Sequence, residues 1–291
     1  MTVIITIVSA LLGINLAMLG WALGEWVWAR TRQSSWRTSG QLLPSDEKHH
    51  WPTIIMVHGF GGSPLDMKPL AQALNDRGFK VVVPVVPCQI AHSFAYRRHR
   101  YLPDRYLDWL ETILTAETDK SGRRPILIGF SMGGTLATIM AARGLPARAV
   151  LLAPYFRLAL WDGFMATSAA ALRFMVPVVP RLIKVGVKDR TGRKIYRPGT
   201  HLACLKAFLH LRVLAARAAD QVPRIEVPTL VLTAADDSVA DTGSTHSLFQ
   251  SHPAATVEQC PRSDHVVLFD FDRQWAIRRV VRFVETPGDA L

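Results

Sequence analysis

Short strand-like runs, all but the last dominated by apolar residues, recur along this chain at intervals that leave room for a helix between them. They are TIIMV (53–57), KVVVPV (80–85), ILIG (126–129), AVLLA (149–153), TLVLT (229–233) and TVEQC (256–260). A strand with one wet face alternates apolar and polar residues, whereas a strand covered on both faces reads as an unbroken Val/Ile/Leu run. Helical patterns fall between the runs and after the last one, over 66–77, 103–119, 132–143, 241–250 and 273–285. This alternation predicts an α/β fold: a mostly parallel sheet with helices on both faces. At 291 residues the chain is long enough for one such domain with a sizeable core.

The rhythm fails in two places, the first of them at the N-terminus. Val3 to Leu23 is an uncharged run of 21 residues, close to the roughly 20 that a helix needs to cross a bilayer. Trp21, Trp26 and Trp28 cluster near its far end, and Arg30, Arg32 and Arg37 follow. A cleaved secretory signal would carry its basic residues before the apolar stretch and a small-x-small site after it. The order here favours an uncleaved transmembrane anchor over 1–29, with the arginine flank and the catalytic domain on the cytoplasmic side. Residues 30–50, polar and aperiodic, read as a juxtamembrane linker.

The second break is internal. About 75 residues separate the run ending at Ala153 from the one beginning at Thr229. A connection that long in a compact domain is usually functional or a subdomain. Between Phe156 and Arg217 it holds twelve Lys/Arg against two acids, Asp162 and Asp189, which accounts for nearly all of the net +11. A field of one sign attracts anionic partners. The segment carries no nucleic-acid-binding motif, so no nucleic acid is expected. Two readings stay open: an anionic lipid surface as partner, or apolar residues that cap a pocket of the core with their charges solvated. The expected organisation is a core over 51–154 and 221–291 with a basic helical lid over 155–220. The three cysteines, Cys88, Cys204 and Cys260, are odd in number and widely spaced, which argues against a disulfide framework and for a reducing compartment.

In an open parallel sheet, ligands gather at the carboxyl ends of the strands. Gly129-Phe130-Ser131-Met132-Gly133 lies at such an end, between an apolar run and a helical pattern. In that setting Gly-x-Ser-x-Gly is a nucleophile elbow: a sharp turn exposes the serine, and small residues let strand and helix approach closely. A serine hydroxyl needs a base beside it. Of the ten histidines, His265 in RSDHVVLF follows the last run and shares that edge. A carboxylate to orient the imidazole is offered by Asp236, Asp237 or Asp241, just beyond TLVLT. The Gly-rich HGFGGSP turn (58–64) supplies backbone N–H groups on the same edge. The N–H groups of Phe60 and Met132 are the expected oxyanion donors, while His58 is expected to shape the loop. No metal-ligand spacing is visible, and no cofactor or metal is expected.

Four separated stretches, IIMVHGFGGSPLDMKPLAQALNDRGFKVVVP, ILIGFSMGGTLAT, VPTLVLTAADDSVAD and SDHVVLFD, resemble the alpha/beta-hydrolase superfamily over residues 51 to about 285. The nearest group is the bacterial carboxylesterases and monoacylglycerol-lipase-like enzymes, also labelled serine-aminopeptidase-like hydrolases. The resemblance implies the alpha/beta-hydrolase fold with a lid inserted after the strand ending at Ala153. It makes Asp237 the counterpart of the family's acid, three residues after Ala234, which stands where the family has glycine, with Asp236 as understudy. A further departure is the loop VVPCQIAHSFAYRRHR, where the family often has a GHG turn, so the acyl pocket is less legible than the triad. The implied function is membrane-anchored hydrolysis of lipophilic acyl esters through Ser131, His265 and Asp237. An acyltransferase with the same triad, or a silent binding protein of this fold, would leave the same motifs.

Overall fold

The computed structural model describes residues 51–87, 103–159, 186–196 and 205–286. It adds the backbone alone at 41–42, 178–180 and 202–204, and isolated helical positions at 9, 13, 16, 17 and 20. Its main sheet runs in the order β1 (Gln41–Leu42), β3 (Val81–Val82), β2 (Ile54–Val57), β4 (Ile126–Phe130), β5 (Arg148–Leu152), β8 (Thr229–Ala234), β9 (Ala255–Cys260). All neighbours pair parallel except β1, which runs antiparallel to β3. β6 (Val178–Pro180) and β7 (Leu202–Cys204) form a separate antiparallel pair.

The unbroken apolar runs have the reason expected of them. Alternate residues of the central strands β2, β4, β5 and β8 enter opposite cores. Ile54, Met56, Ile128, Val150, Leu230 and Leu232 meet α1 (Lys68–Asn75) and α7 (Arg273–Glu285) on one face. Ile55, Val57, Leu127, Leu151 and Val231 meet α2 (Pro103–Ser121), α3 (Met132–Ala142), α5 (Leu205–Gln221) and α6 (Thr242–Phe249) on the other. With both faces covered, neither set tolerates a polar residue.

The structure differs from the sequence expectations in the connections. Gln41 and Leu42, within the segment read as linker, pair with Val82 and Val81. Without them the β3 edge would present unpaired backbone groups. Much of the segment expected as a lid (160–185 and 197–201) lies outside the described residues, apart from the backbone of β6. What is described of its second half packs on the core. α5 buries Ala207, Leu211, Leu214, Ala215 and Ala218, a helical stripe that lies against α3. Gly186 to Tyr196, containing α4 (Arg190–Ile195), runs along the loop after β9: Val266 N–H donates to Gly186 O at 2.8 Å, and the Tyr196 and Phe269 ring centroids are 5.1 Å apart. Among the described residues no helix is long and apolar enough to cross a membrane. The anchor expected over 1–29 lies outside them, save for the isolated helical positions.

Candidate active site

Ser131 follows β4 and precedes the first residue of α3. Its backbone adopts φ 53°, ψ −116°, a conformation that costs a side-chain-bearing residue about 1–3 kcal/mol. The surrounding backbone holds it there. Ser131 N–H donates to Leu152 O at 2.9 Å, and Ser131 O accepts from Thr135 N–H at 3.1 Å and Tyr155 N–H at 3.2 Å. The flanking glycines are there for closeness. A Cβ on Gly129 would overlap the Gly133 carbonyl, and one on Gly133 would overlap the Val57 carbonyl of β2. A serine at a helix start commonly caps the first N–H groups. Ser131 makes no such cap; its hydroxyl is turned to His265.

Ser131 Oγ lies 2.9 Å from His265 Nε2, and His265 Nδ1 lies 2.8 Å from Asp237 Oδ2. A carboxylate only accepts, so Nδ1 carries the proton and Nε2 is left to accept from the hydroxyl. Ser131, His265 and the Asp237 side chain are all buried. The other Asp237 oxygen accepts from Val239 N–H at 2.8 Å and Ala240 N–H at 2.7 Å, so the loop after β8 folds around this carboxylate. Asp236 is placed differently: its side chain is 57% exposed and accepts from Lys188 Nζ at 2.5 Å. Asp241 caps α6, accepting from Gly243 N–H at 3.0 Å. Of the three acids open to sequence reading, the structure brings only Asp237 to the imidazole.

The turn after β2 passes directly beside the serine. A Cβ on Gly59 would stand 3.1 Å from Ser131 Cβ and 3.2 Å from the Phe130 ring, which places the Gly59 backbone beside Ser131. Met132 opens α3, where the first N–H groups have no acceptor within the helix. His58 braces this turn from beneath. Fully buried, it donates from Nδ1 to Gly59 O at 3.0 Å and accepts Val86 N–H at Nε2, also at 3.0 Å. Burial pushes its pKa down to about 4 against the raising effect of the Gly59 bond, so it stays neutral and structural.

Sequence reading did not reach the acids packed around the histidine loop. Asp264, Asp270 and Asp272 are buried and accept from main-chain N–H groups of the loop itself; Asp270 also accepts from Lys188 and Asp189. Their signal, three acids within nine residues of a core-forming stretch, is legible only in retrospect. Cys260, at the end of β9, is a buried thiol pushed up to about 12, mainly by desolvation. Among the described residues no three His, Cys, Asp or Glu side chains are grouped as a metal site.

Nucleophile turn, histidine, acid and Gly-rich turn thus come from four different strand ends on one edge of the sheet. A family model described as the alpha/beta hydrolase family matches residues 54–278, which span every one of these positions. The chain belongs to the alpha/beta hydrolase family. Among its relatives is a thermostable monoacylglycerol lipase of Bacillus sp. (strain H-257), 25% identical over 240 residues, which cover 79% of this chain and 89% of that one. Two solved structures share the fold at 18% identity. One, described under LipS and LipT, two metagenome-derived lipolytic enzymes, has a TM-score of 0.71 and covers 87% of this chain and 99% of its own. The other, the Paleococcus ferrophilus monoacylglycerol lipase, has a TM-score of 0.67 and covers 80% and 96%.

Proposed function

We propose that this alpha/beta hydrolase is a serine carboxylic-ester hydrolase acting on lipophilic acyl esters, with Ser131, His265 and Asp237 as its catalytic triad. The observation that carries the reading is the continuous pair of hydrogen bonds from Ser131 Oγ through His265 to Asp237, at 2.9 and 2.8 Å. Ser131 Oγ attacks the ester carbonyl as its proton passes to His265 Nε2. The C–O bond to the alcohol then breaks, and the imidazolium protonates the leaving oxygen. Asp237 holds the tautomer and stabilises the transient charge on the ring. The N–H groups of Phe60 and Met132 are the proposed donors to the oxyanion. Water, deprotonated by the same imidazole, attacks the acyl-enzyme; the bond from the acyl carbon to Ser131 Oγ breaks, the imidazolium returns its proton to Oγ, and the acid is released.

The lipophilic preference is supported by the monoacylglycerol lipase relative and by the composition of the N-terminus and the long insertion. In this reading residues 1–29 anchor the enzyme in a membrane with the catalytic domain on the cytoplasmic side. The basic segment within 155–220 faces anionic lipid, where each Lys/Arg near the surface contributes about 1 kcal/mol.

The test is a chain-length series of p-nitrophenyl esters on the folded wild type and on Ser131→Ala. The wild type should hydrolyse them with a preference for longer acyl chains. Ser131→Ala should lose at least about 10³-fold in kcat, together with its labelling by a fluorophosphonate. Acyl transfer to an added alcohol in preference to water would instead identify an acyltransferase. A wild type inert to every ester and to the probe would end the reading.

A further inference from the structure

We infer that Asp264 is a positioning residue for the Asp237–His265 pair, an inference that rests on the triad proposed above. Asp237 and His265 sit on separate loops, after β8 and β9, and their own side-chain contact is a single hydrogen bond. Asp264 joins the main chains of those two loops. Its Oδ1 accepts from His265 N–H at 2.7 Å and from Ser238 N–H, next to Asp237, at 2.8 Å. The Ser238 hydroxyl donates to both oxygens, at 2.9 and 3.0 Å. One buried carboxylate therefore fixes the spacing between the backbones that present the acid and the base.

The clamp is itself held. Asp264 N–H donates to Asp270 Oδ2 at 2.8 Å. Asp270, fully buried, also accepts from Lys188 N–H at 2.9 Å, Asp189 N–H at 2.8 Å and Phe271 N–H at 2.9 Å. The returning part of the long insertion reaches the histidine from the other side, because a Cβ on Gly186 would stand 3.1 Å from His265 Cβ. Asp264 has no bond to Ser131 and none to the imidazole ring among its hydrogen bonds above, so its effect on the reaction passes through main-chain position.

A mainly local structural acid and a positioning acid make different predictions for Asp264→Asn, Asp264→Ala and Ser238→Ala. Asn keeps an oxygen for the two N–H groups, and Ala keeps nothing. The rate per site, counted by fluorophosphonate titration, should fall in the order wild type, Asp264→Asn, Asp264→Ala. The alanine variant should lose about a hundredfold in kcat with KM within about twofold, the size expected when a reacting group shifts by about 1 Å. Ser238→Ala removes only the hydroxyl bonds at an exposed residue and should fold normally with a fall of about two- to fivefold.

A readout independent of turnover is the downfield proton resonance of His265 Nδ1–H. It should persist in Asp264→Asn and broaden or vanish in Asp264→Ala while persisting in the wild type and Ser131→Ala. The inference is overturned by an unchanged resonance and wild-type kcat per titrated site in the Asp264 variants, or by a change confined to thermal stability. Should Asp264→Ala fail to fold, equal rates per site in Asp264→Asn, Ser238→Ala and wild type overturn it equally. If the wild type turns over no ester, the resonance still decides the positioning role.

Discussion

Single residues here take their roles from what surrounds them. Ser131 stands where a serine would cap a helix, but its positive φ and three backbone hydrogen bonds turn the hydroxyl to His265 instead. Two histidines at the same sheet edge diverge for an equally local reason. His265 keeps one ring nitrogen for a carboxylate and the other for a hydroxyl, whereas His58 spends both on backbone groups in full burial. The folded-state pKa of His58 is about 4, below its ordinary 6.5, so the unfolded chain takes up a proton at that residue before the folded one does. Its contribution is thus fully present above pH 6.5 and is lost as pH falls toward 4, by up to about 3 kcal/mol. Denaturant unfolding between pH 7 and pH 4 should show this loss in the wild type. Replacing His58 with Gln should lower stability at pH 7 and flatten that window.

The elements make the site by ending at the same edge. β2, β4, β8 and β9 all run parallel, so their carboxyl ends bring residues 59, 131, 237 and 265 together although up to 206 positions separate them. The approach of α3 to β2 and β4 sets how far Ser131 projects. Gly133 is the contact between helix and strand, since a side chain there would run into the carbonyl of Val57. Gly133→Ala should therefore cost more than about 3 kcal/mol, at or beyond the usual limit of overpacking, and a chemical-denaturation midpoint will measure it. A midpoint within experimental error of wild type would mean that α3 slides without cost. Strand and helix positions were legible to within a few residues because burial on both faces leaves its mark in composition. The helix α5 was legible only as part of an expected helical lid and not as a core helix, because its partner α3 precedes it by about 70 residues.

For the molecule as a whole, charge and apolarity are segregated. The hydrolase core is almost neutral, and the excess of cations lies in the long insertion. The proposed anchor predicts that the full chain sediments with membranes even at high salt and that a variant lacking residues 1–29, left with only the salt-sensitive attraction of the basic segment, does not, with ester hydrolysis in detergent retained at about wild-type kcat. Recovery of the full chain in the soluble fraction would remove the anchor from the proposal and leave the active site untouched.

Local composition was enough to mark the main core strands and helices, the sharp turn at Ser131, the Gly-rich turn and the position of His265, because each is written in a few adjacent residues whose backbone conformation or burial demands them. Composition left Asp236, Asp237 and Asp241 alike, the family resemblance pointed to Asp237, and folding set its side chain at the imidazole; the carboxylates Asp264 and Asp270 around the histidine came from folding alone. Three aspartates within six positions look alike in a sequence, and the loop's path turns one to the imidazole, one to Lys188 and one to a helix start. The bonds of Asp264 and Asp270 span up to 82 positions, and a hydrogen bond between such distant groups leaves no periodicity to read.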